Sequence, residues 1–282
     1  MKFASFRSGD LATYGGVTNG TIRPVAGDFR ARYPDLKSAI AAGLTPDIFD
    51  AIDYGPDIEL AHIQFDPVIP NPGKIFGVGM NYRAHIKEMG RTPSKYPAVF
   101  VRFPDSLVGH RQPVIRPKVS QQFDYEGELA VIIGRTARNV SAAAAMDYVA
   151  GYSCFLDGSI RDYQYHTSQF IPGKNFPQSG AFGPWMVTVD EIADLRELHL
   201  ATRVNGDVMQ RGDIGDLCIG IGELIQYLST ICQLNPGDVI ATGTPSGVGY
   251  AQDPQRWLKP GDRIEIEIDQ IGCLENQVAD EA

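Results

Sequence analysis

Glu126 and Glu128 flank a single glycine in the segment Phe123-Asp124-Tyr125-Glu126-Gly127-Glu128-Leu129-Ala130-Val131. In an extended strand, residues two apart point to one face, about 7 Å apart along the chain. The two carboxylates would then aim at one spot and repel each other unless a cation or a buried basic side chain lies between them. Gly127 would let backbone or ligand come close. A solvated strand face also carries Glu-x-Glu pairs, so the pair alone leaves both readings open. Asp157 adds a third carboxylate, at the end of the apolar run Tyr152 to Leu156 and just before Gly158, a placement typical of a site residue. Three carboxylates with no Cys/His ligand spacing suit a hard divalent cation such as Mg2+ or Mn2+, with Ca2+ as a further candidate. His85 and Glu88 are three apart and share a face on one helical turn. A carboxylate that fixes the tautomer of a histidine and supports its charged form makes it a general base.

The elements that must carry these groups are mostly strands. Lys74 to Val78, Ala98 to Phe103, Glu128 to Ile133 and Tyr152 to Leu156 read as extended. So do Asp238 to Thr242 and Asp262 to Ile268, each after a Pro-Gly turn. Helical spacing appears over residues 35–44, 141–149 and 219–234. This is a β-rich mixed α/β pattern. The stretch Pro67-Val68-Ile69-Pro70-Asn71-Pro72-Gly73 is a candidate boundary between a small N-terminal domain, residues 1–70, and a catalytic domain, residues 71–282.

Composition narrows the partners. A formal net charge of −9 argues against nucleic acid, which needs basic patches, but leaves room for a small anionic substrate at a local positive site. No apolar run is long enough to cross a membrane, and the N-terminus lacks an apolar signal core. Cys154, Cys218, Cys232 and Cys273 show no ligand spacing and sit in or beside apolar runs, which favours free thiols in a reducing compartment. The expected setting is the cytoplasm.

Several segments, in order, resemble the fumarylacetoacetate hydrolase, or acylpyruvase, family over about residues 72–270. They are Gly77-Val78-Gly79-Met80-Asn81-Tyr82-Arg83-Ala84-His85, Tyr125-Glu126-Gly127-Glu128-Leu129-Ala130-Val131, and Gly151-Tyr152 through Asp157 to Arg161-Asp162-Tyr163-Gln164. Gly173-Lys174-Asn175-Phe176, Val204-Asn205-Gly206 and Thr242-Gly243-Thr244-Pro245-Ser246-Gly247-Val248-Gly249 follow. Each is weak alone, and their order makes them specific. The resemblance implies metal ligation by Glu126, Glu128 and Asp157, a β-roll catalytic fold, and pairing as a homodimer. It also implies that His85 and Glu88 form a dyad on a lid and that Lys174 holds an anionic or enolate oxygen. Arg161 and Gln164 look like contacts to substrate or to its ligands, with a salt bridge to a carboxylate as the alternative for Arg161. Thr244 would offer its hydroxyl and N–H to a substrate carboxylate, or simply form a turn. Where many relatives carry Lys-Pro, this chain has Arg102 ahead of Phe103-Pro104, so a substrate contact there would be a planar fork instead of a point charge.

The reaction expected from this set is hydrolytic C–C cleavage of a β-diketo acid of the acylpyruvate or fumarylpyruvate type, as in aromatic catabolism. His85 would activate water, and the cation and Lys174 would stabilise the enolate that leaves. Oxaloacetate-type decarboxylation, enol–keto isomerisation and lyase chemistry are alternatives on the same site. The dyad tilts the choice towards hydrolysis or decarboxylation, because an isomerase has less need to activate water. A non-catalytic binding protein is the remaining alternative.

Overall fold

The computed structural model describes residues 1–43 and 52–282. Its strands begin with β1 (Lys2–Ser8), β2 (Leu11–Thr18), β3 (Thr21–Pro24), β4 (Ile58–Glu59) and β5 (Gln64–Phe65). They continue with β6 (Ile75–Gly79), β7 (Ala98–Arg102), β8 (Leu107–Val108), β9 (Val114–Arg116), β10 (Phe123–Asp124), β11 (Gly127–Ile133) and β12 (Val149–Leu156). The last are β13 (Ser159–Ile160), β14 (Gly180–Thr188), β15 (His199–Val204), β16 (Asp207–Asp213), β17 (Val239–Ala241), β18 (Arg263–Ile268) and β19 (Gly272–Asp280). The helices are short: α1 (Gly27–Arg32), α2 (Leu36–Ala41), α3 (Arg83–Glu88), α4 (Arg161–Gln164), α5 (Ile171–Lys174) and α6 (Ile221–Ile231). Among the described residues, no helix is long and apolar enough to cross a membrane.

Two main sheets organise the chain. The larger runs β4-β3-β2-β1-β14-β12-β11-β17-β6-β7, with β5 on β1 and β8 on β14; the smaller runs β16-β15-β18-β19-β9. The N-terminal strands join the larger sheet directly, since Lys2 and Phe3 of β1 pair with Val187 and Met186 of β14.

β11 lies inside this arrangement and is buried along its whole length, which explains its unbroken apolar run. Its alternate residues serve two cores. Leu129, Val131 and Ile133 pack with Leu200, Ile264, Ile266 and Leu274 of the smaller sheet. Ala130 and Ile132 pack on the opposite face with Phe3, Leu36, Ile40 and Met186. Glu126 and Glu128 belong to that second face by the two-residue period. Gly127 faces the smaller sheet, where a Cβ would collide with Thr202.

The sequence places most elements correctly. The helical spacing at 35–44 becomes α2, whose Asp35 cap accepts from Ser38 N; Leu44 lies outside the described residues. The helix expected over 141–149 is replaced by turns and a 3-10 segment at Ala145–Tyr148. There Ala144 N and Asp147 N reach back three residues, and Tyr148 O is taken by Gly134 N. The start of α6 presses on the same segment, with a Cβ on Gly222 lying 2.7 Å from Ala142 O. Tertiary packing thus overrides the helix preference of the alanines. The described cysteines are all free thiols.

The turn before β17 rests on Asp238, which is fully buried and accepts from Lys74 N, Lys74 Nζ and Asn235 N. It also ties β6 to β17. Asp238→Ala leaves two backbone donors and an ammonium without their acceptor. The expected loss is about 3 kcal/mol in a urea unfolding titration, whereas a change within error would show that the carboxylate does not hold this junction.

Candidate active site

Strand ends and loops bring the predicted carboxylates together. Glu126 and Glu128 enter from the start of β11, and Asp157 follows β12, whose Leu156 is paired with Gly127. Asp157 N donates to Glu126 O at 2.9 Å, so the two segments are fixed through the backbone. One oxygen from each of the three carboxylates lies within 4.8 Å of the others, and all three residues are buried.

Three basic side chains surround them. Lys174 Nζ, 5.0 Å above the Phe100 ring, donates to Glu126 Oε2 at 2.7 Å, Asp157 Oδ2 at 2.6 Å and Ser159 Oγ at 2.7 Å. Those three bonds use every N–H of the ammonium. Arg102 has a fully buried side chain and donates from Nη1 to Asp157 Oδ1 at 2.6 Å, with its remaining nitrogens on Ser106 and Ser179. Arg161 Nε donates to Asp124 Oδ2 at 2.8 Å and Nη1 to Gln164 Oε1 at 2.9 Å. Its Nη2 is 2.7 Å from Glu126 Oε1, an ion pair not aligned as a hydrogen bond.

Among the described residues Glu128 forms no salt bridge. Its Oε2 accepts from Gly243 N at 2.9 Å. That N–H is aimed by a left-handed backbone, φ 106°, which glycine adopts freely. Burial, then Asp157, then Glu126 push the Glu128 carboxyl well above its ordinary range. Burial also opposes the charge on Glu126, but Lys174 and Arg161 outweigh it and hold that carboxyl well below the usual range. The buried acids Asp124, Glu126, Glu128 and Asp157 thus face Arg102, Arg161 and Lys174, one positive charge short. An all-oxygen donor set with uncompensated negative charge fits a hard divalent cation.

The dyad stands beside this cluster. His85, 3% exposed, places Nδ1 3.0 Å from Glu88 Oε2, and Glu88 Oε1 accepts from Gly247 N at 2.8 Å. The Gly243–Gly247 loop links the dyad to the cluster, since Gly243 N donates to Glu128 Oε2. Asn81 seats the helix that carries the dyad: its amide donates to Ile219 O and Thr242 O, and its oxygen accepts from Ile219 N.

The structure also redistributes the expected roles. Arg102 is committed inside the protein and grips Asp157, and Arg161 takes the salt-bridge alternative. Gln164 is buried with Arg161. The Thr244 hydroxyl donates to Gly127 O at 2.9 Å and accepts from Gln210 Nε2 at 2.8 Å. Two residues escaped the sequence reading. Asp124 anchors Arg161 and accepts from Gly249 N and Tyr250 N; the period that joined Glu126 to Glu128 extends back to it. Gln210, on β16, carried no such signal.

The family model for the fumarylacetoacetate (FAA) hydrolase C-terminal region matches residues 74–279. The chain therefore belongs to the fumarylacetoacetate hydrolase family of enzymes. The oxaloacetate tautomerase YisK of Bacillus subtilis is 41% identical over 223 residues, which cover 78% of this chain and 74% of that protein. Fumarylacetoacetate hydrolase from Exiguobacterium antarcticum has a TM-score of 0.86 at 34% identity, with 100% of both chains covered. Maleylpyruvate hydrolase from Sphingobium has a TM-score of 0.81 at 31% identity, again covering 100% of each.

The elevated Glu128 has a measurable consequence. In the metal-free protein this carboxyl keeps its proton at pH values where an exposed glutamate has lost it, so a cation must displace that proton. Apparent Mg2+ affinity falls as pH drops through the raised range, approaching about tenfold per unit below it. Calorimetric titration in buffers of different ionisation enthalpy should detect net proton release on binding. PH-independent affinity without release would contradict the assignment.

Proposed function

We propose that the chain interconverts the keto and enol forms of a 2-oxo dicarboxylic acid of the oxaloacetate kind, with Mg2+ or Mn2+ as cofactor. The observation that carries this proposal is the His85–Glu88 dyad beside the carboxylate cluster, with His85 buried and Glu88 half-buried. Such a base takes a proton from carbon as readily as from water, so the tilt towards hydrolysis drawn from the dyad alone does not decide against tautomerisation. The proposal's support among relatives is the oxaloacetate tautomerase, 41% identical over 78% of this chain.

The dyad fixes which ring nitrogen moves the proton. With Nδ1 on Glu88, Nε2 is the nitrogen left to take a proton from the carbon between the two carbonyl-bearing groups and return it to oxygen. Glu88, held at its other oxygen by Gly247 N–H, balances the charge that develops on the ring. Lys174, with all its hydrogens engaged, acts as a fixed positive charge near the enolate oxygen instead of a direct donor. Bound at Glu126, Glu128 and Asp157, a divalent cation supplies Lewis acidity towards an α-keto acid.

Hydrolysis of an acylpyruvate, the reaction favoured from sequence, is the second reading. The same nitrogen that takes a proton from carbon can take one from water, and maleylpyruvate hydrolase shares the architecture. Substrate loss separates the two readings. Tautomerisation makes enol absorbance decay to the keto equilibrium with the carbon skeleton intact, whereas hydrolysis releases pyruvate.

His85→Gln is expected to slow enol oxaloacetate decay about 10²- to 10⁴-fold while Mn2+ binding survives. Retained turnover would remove His85 from the reaction. Stoichiometric pyruvate from an acylpyruvate, with no effect on enol oxaloacetate, would favour the hydrolase.

A further inference from the structure

Gly127 is held by side chains where a strand would normally hold it. The pairing of β11 with β17 reaches Ala130, opposite Ala241, and the next bond on that side is Thr242 N to Leu129 O. Beyond it, β17 has ended. On that side Gly127 N donates to Gln210 Oε1 at 3.0 Å, and Gly127 O accepts from Thr244 Oγ1 at 2.9 Å. Gln210 Nε2 closes the ring on Thr244 Oγ1 at 2.8 Å and also donates to Pro245 O at 2.9 Å. Gln210 is 1% exposed and Thr244 3%, so water does not compete for these bonds.

The gripped groups are the two peptide planes that flank Gly127. One joins it to Glu126, the other to Glu128. A rotation of either plane would turn a carboxylate away from the shared face, and Gly127 has no side chain of its own to resist it. Close packing on Thr202 forbids adding one.

We propose that Gln210 is a positioning residue for the carboxylate cluster. Through Gly127 and Thr244 it fixes the orientation of Glu126 and Glu128 towards a common cation. The claim rests on the cluster holding a divalent metal, and it reassigns Thr244 from substrate contact to the same clamp. Gln210 reaches the site from the smaller sheet, so that sheet sets the geometry of ligands it does not itself supply.

The test uses metal-stripped full-length wild type, Gln210→Met, Thr244→Val, Thr244→Ser and the double variant Gln210→Met/Thr244→Val. Each is titrated with Mn2+ in a calorimeter, and each is melted without metal to establish folding. Gln210→Met and Thr244→Val should each weaken Mn2+ binding by about 10- to 100-fold. The double variant should lose little more than the worse single change, because both break one ring. Thr244→Ser, which keeps the hydroxyl, should bind close to wild type. If Gln210→Met does not fold, Thr244→Val against Thr244→Ser decides alone. Wild-type Mn2+ affinity in folded Thr244→Val overturns the clamp and leaves the metal reading standing. No Mn2+ binding by wild type overturns both.

Discussion

Negative charge is buried here faster than the protein neutralises it. Four acids and three bases meet out of water, and the unmatched one is Glu128. Isolated charge in a low-dielectric interior is costly, so the arrangement stands only with a proton or a cation on that group. Much of the surrounding structure follows from this constraint. Among the described residues, Arg102 and Lys174 restrain Asp157, Arg161 and Lys174 restrain Glu126, and Glu128 is held by a single hydrogen bond from Gly243 N–H. The carboxylate with the fewest protein partners is thus the one that most needs a proton or a cation.

The fold makes such a site affordable by placing it at the end of a strand buried on both sides. Along β11, one face packs against the smaller sheet. The other begins in the core with Ile132 and Ala130 and ends in the acids. The apolar part anchors the polar part, so the acids inherit the rigidity of the sheet. The other groups of the candidate site arrive on short segments around that end: the short helix with His85 and Glu88, the helix ending in Lys174, and the Gly243–Gly247 loop. The loop touches both halves, through Gly243 to Glu128 and Gly247 to Glu88. A shift in it would therefore be felt by the carboxylate cluster and the dyad together.

What the sequence disclosed follows from the range of each interaction. Glu126, Glu128 and the spacing of His85 and Glu88 depend on local periods, and these were legible from residue order. Asp157 was legible as a strand end. The role of Arg102 was not, because its partners Asp157 and Ser179 lie far along the chain and only folding brings them within reach. The hydrogen bond of Thr244 was hidden for the same reason: its hydroxyl meets Gly127 across a separation no motif encodes. The alanine-rich stretch at 142–145 shows the converse, a strong local preference overruled by what packs on it.

The central claim is that Glu126, Glu128 and Asp157 jointly hold one divalent cation. Anomalous scattering from a crystal soaked in Mn2+ tests it most directly. The account predicts one strong peak among the three side chains, about 2.1 Å from an oxygen of each, with Lys174 still bound to Asp157. Manganese at full occupancy elsewhere, with no peak between these carboxylates, would contradict it.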